Sequence, residues 1–518
     1  MIKGFATLKK YATLFMVLLA AGCATVDHEY PRNESYAPPA SETRDTAFGQ
    51  YVKAEMPKHA EGESGFVLLA DGVEAFAARL AMAENAEKTL DVQYYLISED
   101  LIGHAFIGSL LKTADRGVRV RLLVDDILTK GFDHGMAALD SHPNLEVRIF
   151  NPFASRTLRP MDMFQFTRLN RRMHNKSFTV DNQITLIGGR NIADEYFGAR
   201  TDLNFGDLDV VGFGPVVQEV SSMFDEYWNS WAALPVPAFA DMPKDLELEL
   251  ASLRQRINKK LSTVSDGIYA EAIKQDYDRL LGEESGRAVW TTYDLAYDSP
   301  DKADSKKAKT ATNITTKLNE TIRGGSKEFI LISPYFVPLK SGEQFFQELV
   351  DKGMEVSVIT NSLAANNHGS VHSGYAPSRK RLLKMGVKLY EVKSEGINQE
   401  FERVGNDQSR ATLHTKAFMV DREKIFIGSF NWDPRSININ TELGVIIDSP
   451  EIGESATINM SEKLAEKTYE VVLNDKGKLR WIDRSGPEEV VYTKEPNTTW
   501  WKRFSVGFMS ILPIKSQL

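Results

Sequence analysis

Runs rich in β-branched and aromatic residues alternate along the chain with stretches of helical period. Residues 89–97, 118–124 and 145–150 read as strands, and 101–116 as a helix between the first two. The same order returns far downstream, with strands at 328–337, 355–360 and 387–392 and a helix at 342–352. The phrases Thr113-Ala-Asp-Arg-Gly-Val-Arg-Val and Leu349-Val-Asp-Lys-Gly-Met-Glu-Val occupy equivalent places in the two runs. Each is a helix end closed at a glycine, Gly117 or Gly353, ahead of a strand. The pattern predicts an α/β fold in two pseudo-symmetric halves, each a mixed sheet flanked by helices, over residues 66–234 and 309–518.

Outside the halves the periodicity fades. Residues 235–308 are punctuated by proline and then turn charged and helix-prone, which predicts a helical connector carrying no chemistry. Residues 24–65, rich in Pro, Glu, Ser and Ala, read as a flexible tether. In residues 1–23, Lys3, Lys9 and Lys10 precede an apolar run at 11–21 that Gly22 and Cys23 close, the order of a secretory signal.

Composition narrows the field. A length of 518 residues exceeds one ordinary core and fits two halves. A formal net charge of -9 speaks against broad, sequence-independent nucleic-acid binding, which relies on basic surface. The chain has 1 cysteine, so neither an internal disulfide nor a cysteine-based zinc site can form.

The chemistry sits in a duplicated phrase. Met173-His-Asn-Lys-Ser-Phe-Thr-Val-Asp181 recurs as Leu413-His-Thr-Lys-Ala-Phe-Met-Val-Asp421, and each copy runs on to a second strand ending at Asn191 or Asn431. The spacing of His, Lys, Asp, Gly and Asn is identical in both. A single His, Lys and Asp so spaced arises by chance in about one chain in thirty of ordinary composition, but two copies in register do not. On a strand, residues two apart share a face, so His174 projects with Lys176 and His414 with Lys416. Two such strands side by side would make a pocket of two imidazoles and two ammonium groups. That suits a phosphodiester: the lysines neutralise its oxygens, one histidine attacks phosphorus, and the other protonates the leaving oxygen. No metal or cofactor is required.

These motifs resemble the two signatures of the phospholipase D superfamily, and the resemblance covers nearly the whole folded chain. It implies two phospholipase D-like halves sharing one active site and a covalent phosphohistidine. His174 is assigned as nucleophile and His414 as acid/base, although the pseudo-symmetry leaves the order open. The resemblance places Asp181 and Asp421 in the catalytic set, yet each also begins a turn, where an aspartate is commonly structural. Asp207 and Glu442 align on Pro215 and Pro450 and are implied to orient the histidines, with Asp209 as the fallback in the first half. Asn191, Ser429 and Asn431 are implied to bind phosphate, and the chain departs from the family at Gly189, where a serine is usual. Arg156, Arg159, Arg168, Arg171 and Arg172 crowd the approach to the first motif, either to meet anionic headgroups or as a solvated charge run.

Further phrases, among them Ile149-Phe-Asn-Pro-Phe153, Asn361-Ser-Leu-Ala-Ala-Asn366 and Gly428-Ser-Phe-Asn-Trp-Asp-Pro-Arg-Ser436, resemble the C-type bacterial cardiolipin synthases. That likeness implies a phosphatidyltransferase condensing phosphatidylglycerol with a second phospholipid. The start of the chain resembles a bacterial lipoprotein signal. It implies lipidation at Cys23 and a place in the cell envelope, on the periplasmic face of the outer membrane; the other reading of the run is an uncleaved single-span anchor. In the tail, Trp500, Trp501, Lys502, Arg503, Phe504 and Phe508 read either as an interfacial segment or as core packing. The expected partners are phospholipid substrates and a membrane surface, without nucleic acid; no protein partner is identified. Hydrolysis to phosphatidic acid, a secreted nuclease and a non-catalytic lipid-binding module are the alternatives, in falling order.

Overall fold

The computed structural model describes residues 26–518 apart from 157–158, 160–161, 163–164, 265–266, 282–287, 395–409 and 513–514. The signal-like run and Cys23 lie outside the described residues.

Strands of the first half are β1 (Ser64–Leu69), β2 (Thr89–Tyr94), β3 (Arg119–Asp125), β4 (Leu145–Phe150), β5 (Ser177–Val180), β6 (Ile184–Gly188), β7 (Leu203–Gly206), β8 (Asp209–Phe213) and β9 (Ala233–Pro235). The connector adds β10 (Val289–Thr291) and β11 (Tyr293–Tyr297). The second half holds β12 (Glu328–Ile332), β13 (Glu355–Asn361), β14 (Lys388–Val392), β15 (Arg410–Leu413), β16 (Ala417–Val420), β17 (Lys424–Gly428), β18 (Leu443–Asp448), β19 (Thr468–Leu473), β20 (Leu479–Asp483) and β21 (Val490–Tyr492).

One sheet runs β10-β1-β8-β6-β5-β2-β3-β4-β9, the other β11-β18-β17-β16-β12-β13-β14-β19-β20-β21. The inner six strands match one for one. In each half three strands pair in parallel, β2-β3-β4 and β12-β13-β14, and the motif strand, β5 or β16, joins them antiparallel. Both sheets are therefore mixed, and the repeat predicted from the sequence is the architecture. Gly117 and Gly353 take φ of 91° and 94°, the left-handed helix end that a side chain would strain.

Each half has its own core, and a third joins them. Met173, Ile187, Val210, Val217, Phe224 and Trp228 of the first half pack there with Ile330, Met419, Ile427 and Val445 of the second. Strand faces this apolar on both sides are buried on both sides.

Two expectations need correction. The connector does contain the predicted helices, Leu246–Ser262 and Ile268–Leu281, but its end lays one edge strand on each sheet, β10 on β1 and β11 on β18. The proposed tether is packed from residue 26 onward. Its backbone carbonyls satisfy inward-pointing arginines: Arg148 donates to Asn33 O at 2.6 Å, Arg121 to Ser35 O at 2.7 Å and Arg119 to Tyr36 O at 2.8 Å. Thr43 and Thr46 are buried, and Thr46 caps the helix Ala47–Glu55. A segment held through its main chain shows no apolar period, which is why it read as loose.

Removing residues 24–46 is accordingly expected to destabilise the fold and not merely release it. Each buried donor left without a partner costs about 1–3 kcal/mol. A fall in melting temperature on the order of 5–10 °C should follow in thermal unfolding. A change below about 1 °C would restore the tether reading.

Among the described residues, no helix is long and apolar enough to cross a membrane.

Candidate active site

Each motif histidine stands immediately ahead of a central strand, and its main chain hangs from the other half. His174 N donates to Thr441 O at 2.9 Å, and His414 N donates to Gly206 O at 2.7 Å. Thr441 and Gly206 directly precede Glu442 and Asp207. The short parallel ladder of β7 with β15 and the bridge between Met173 and Thr441 hold these crossings in register.

The carboxylates are consequently exchanged between halves. His174 Nδ1 meets Glu442 Oε2 at 2.8 Å, and His414 Nδ1 meets Asp207 Oδ2 at 2.6 Å. Both residues implied to orient the histidines hydrogen-bond one, each that of the opposite half. Asp209, the fallback, touches neither; its carboxylate pairs with Arg79 at 2.9 Å and Arg190 at 3.3 Å.

The lysines stand beside the imidazoles. Lys176 Nζ donates to His174 O at 2.6 Å, and Lys416 Nζ lies 2.7 Å from His414 Nδ1. Main-chain and side-chain bonds that cross between the halves bring the two motifs into one site. Burial holds His174 down to about 4 and His414 to about 3; the two ammonium groups add to this and the partner carboxylates oppose it. Burial also lowers Lys416 to about 8 and Lys176 well below its ordinary value. It pushes the carboxyls up, but Lys416 and His414 outweigh it at Asp207, and His174 and Lys176 at Glu442, so both fall below their ordinary values. Both imidazoles are thus held below their ordinary value, with Nδ1 against a carboxylate and Nε2 left for phosphorus.

The two carboxylates are supported differently. Ser429 Oγ donates to Glu442 Oε2 at 2.5 Å and Ser436 Oγ to Oε1 at 2.7 Å. Ser429 therefore braces the orienting carboxylate instead of facing a phosphate. Gly189, the departure from the family pattern, has a matching cause. A Cβ there would come within 2.3 Å of Asp207 Oδ1, so the carboxylate occupies the space a serine would need. Gly189→Ser is expected to displace Asp207 and release His414. Overpacking of this kind costs about 1–3 kcal/mol of stability. Turnover should fall about 10²-fold with it, a loss on the scale of removing a support behind a reactive group; steady-state rates and melting curves check both.

The connector, predicted to carry no chemistry, reaches this network. Asp298 Oδ2 accepts from Glu442 N at 2.9 Å, and Lys302 Nζ bridges Asp298 Oδ2 and Ser436 O, each at 2.8 Å. Sequence reading also missed four rings. Tyr95 stands edge-on to His174 at 5.0 Å, Tyr196 edge-on to His414 at 4.9 Å, Phe205 stacks on His414 at 5.3 Å, and Tyr335 approaches it at 6.3 Å. Aligning the two halves would have flagged Tyr95 and Tyr335, which each follow the strand beside a motif.

Asn191 Nδ2 donates to Tyr196 Oη at 2.9 Å, and Asn191 and Asn431 each keep a buried amide oxygen without a partner among the described residues. Such open valences suit a phosphate oxygen, with the amide turned over, or a glycerol hydroxyl. Asp181 and Asp421 are not with the histidines. They begin the turns at the far ends of β5 and β16, at φ of 52° and 56°. Asp181 accepts from the backbone of Glu87, Lys88 and Thr89, and Asp421 from that of Ser326, Lys327 and Glu328. Their role is structural. The five arginines are also occupied internally: Arg156 and Arg159 bind Asp126, Arg172 binds Asp125, Arg168 binds Asn151, and Arg171 donates to Lys302 O and Asn438 O.

The family described as cardiolipin synthase, PLD-like domain matches this chain twice, over residues 80–228 and 318–464. Cardiolipin synthase C of Escherichia coli is 40% identical over 461 residues, 88% of this chain and 96% of that one. An uncharacterized protein of Helicobacter pylori is 30% identical over 515 residues, 96% of this chain and 99% of its own. The crystal structure of phosphatidylserine synthase from Haemophilus influenzae superposes with a TM-score of 0.55 at 13% identity, covering 90% of this chain and 99% of that one, a likeness of fold.

Proposed function

The chain belongs to the phospholipase D-like family of cardiolipin synthases, and on that premise we propose that it condenses phosphatidylglycerol with a second phospholipid through a phosphohistidine. The observation that carries this reading is the pair of imidazoles, each bonded to the opposite half's carboxylate and flanked by a lysine.

In the first step His174 Nε2 attacks phosphorus. The nitrogen–phosphorus bond forms, the bond to the headgroup oxygen breaks, and the departing alcohol takes a proton from His414. That proton has to accompany substrate binding, because His414 is neutral at rest. The phosphodiester anion offsets Lys176 and Lys416, part of what holds the imidazole unprotonated. In the second step the glycerol hydroxyl of phosphatidylglycerol gives its proton to His414 and bonds to phosphorus as the bond to His174 breaks. Cardiolipin leaves, His174 regains its Nε2 lone pair, and the proton that His414 took from the hydroxyl is released as the anionic product departs.

The resemblance at the start of the chain supports an envelope location, with Cys23 lipidated and the catalytic body on the periplasmic face of the outer membrane. Lipid acceptors are then concentrated where the phosphohistidine is resolved.

Product analysis by mass spectrometry after incubation with bilayers of phosphatidylglycerol, alone and with phosphatidylethanolamine, tests the proposal. Cardiolipin should dominate over phosphatidic acid. Dominant phosphatidic acid would make the enzyme a hydrolase of the same chemistry.

A further inference from the structure

The helix Trp500–Met509 is built inside out. Its inner side carries Val506, Met509 and the stems of Lys502 and Arg503, with Val506 and Met509 lying beside Gly369. Its outer side carries Trp500, Trp501, Phe504 and Phe508, continued by Ile511, with 53% to 76% of each residue in solvent. Positions 500, 504, 508 and 511 form one stripe of an α-helix, which a globular protein ordinarily turns to its core. The rings are ordered against one another, Trp500 stacking on Phe504 at 5.1 Å and Trp501 meeting it edge-on at 6.1 Å. A contiguous aromatic ridge of this kind marks a surface that something covers.

Two features identify the cover. The helix carries positive charge of its own in Lys502 and Arg503, and both Arg410 and the carboxylate of Glu495 bear on Lys502. Aromatic and basic side chains together are the composition of a bilayer interface carrying anionic lipid. The ridge also stands at the rim of the active site. Lys502 Nζ donates to Ala364 O at 3.3 Å, Thr412 next to the second motif donates to Ala365 O at 2.8 Å, and Tyr335, beside His414, donates to Asn367 Oδ1 at 3.3 Å. The first half contributes on the same side. Phe166, 57% exposed, begins the short helix leading to His174, and Asn170 at its end bonds Gln517 of the tail at 2.7 Å.

We propose that the outer face of the helix Trp500–Met509 docks on an anionic bilayer surface and, with Phe166 of the helix that bonds the tail, seats the active site at the lipid interface. The contact would be independent of Cys23. It deepens the lipid-transfer reading, on which it rests for the nature of the surface.

The full chain, added to vesicles of phosphatidylcholine and phosphatidylglycerol with bromine on the acyl chains, reports the contact through tryptophan quenching. The expected result is strong quenching that is largely lost in Trp500→Phe/Trp501→Phe and weakened when phosphatidylglycerol is omitted. In Phe504→Glu/Phe508→Glu, transfer on vesicles should fall at least tenfold, while transfer on substrate in detergent micelles stays within twofold of the unaltered chain. Absence of bromine quenching, or its persistence in the Phe pair, would overturn the proposal. So would concealment of the ridge by a second copy, seen as a dimer in solution that vesicles do not dissociate. Loss of transfer in micelles by the unaltered chain would instead count against the catalytic reading and leave the quenching result standing.

Discussion

Replacing either His174 or His414 with alanine is expected to lower phosphatidyl transfer by at least about 10⁴-fold, the scale on which losing a nucleophile or its acid/base partner acts. Neither role has a substitute, because Lys176 and Lys416 are held beside the histidines by bonds to their carbonyls. The two variants should nonetheless differ. With a substrate whose leaving group needs no protonation, such as a nitrophenyl ester of phosphatidic acid, His414→Ala should still form the adduct. It should then stall, since no base remains to activate the incoming hydroxyl. An acid-labile, base-stable phosphatidyl group should accumulate on His174 and be visible in the intact mass. His174→Ala should form none. Transfer surviving in both variants would remove the histidines from the mechanism.

The second large effect concerns the carboxylates. Asp207→Asn and Glu442→Gln should each cost about 10²- to 10⁴-fold, because an amide no longer fixes the imidazole tautomer or supports its positive charge. The crossed hydrogen bonds decide which step each one slows. Glu442 holds His174, so Glu442→Gln should retard adduct formation whatever the leaving group. Asp207 holds His414, so the defect of Asp207→Asn in the first step should shrink with the nitrophenyl substrate while resolution of the adduct stays slow. The opposite assignment of effects would mean that each carboxylate serves its own half. Burst kinetics separate the two steps.

The sequence carries the repeat and the motif residues openly, because strand period, glycine-closed helix ends and residue identity are all local signals. Asp207 and Glu442 were also legible, through alignment on Pro215 and Pro450. Their exchange was not, since it depends on where β7 and Thr441 deliver the chain in three dimensions. Asp181 and Asp421 show the limit of motif membership as a guide to chemistry: their spacing is as strict as that of the histidines, but it serves turns that tie β5 and β16 to the segments preceding β2 and β12. The arginines before His174 were ambiguous for the same reason. Asp125 and Asp126, which occupy three of them, are some thirty to fifty residues away along the chain. Gly189 reads as a lapse from the family pattern until Asp207 is seen to fill the space of its missing side chain. The packed segment after residue 26 was hidden because main-chain carbonyls hold it, and those have no sequence signature.

The stereochemical course at phosphorus tests the central claim most directly, that one imidazole carries the phosphatidyl group between two alcohols. Each in-line displacement inverts phosphorus, so passage through His174 inverts it twice. With only the donor phospholipid made chiral at phosphorus by sulfur substitution, the phosphorus it delivers to cardiolipin should keep its configuration. Inverted configuration would mean direct attack by the incoming hydroxyl and would contradict the phosphohistidine.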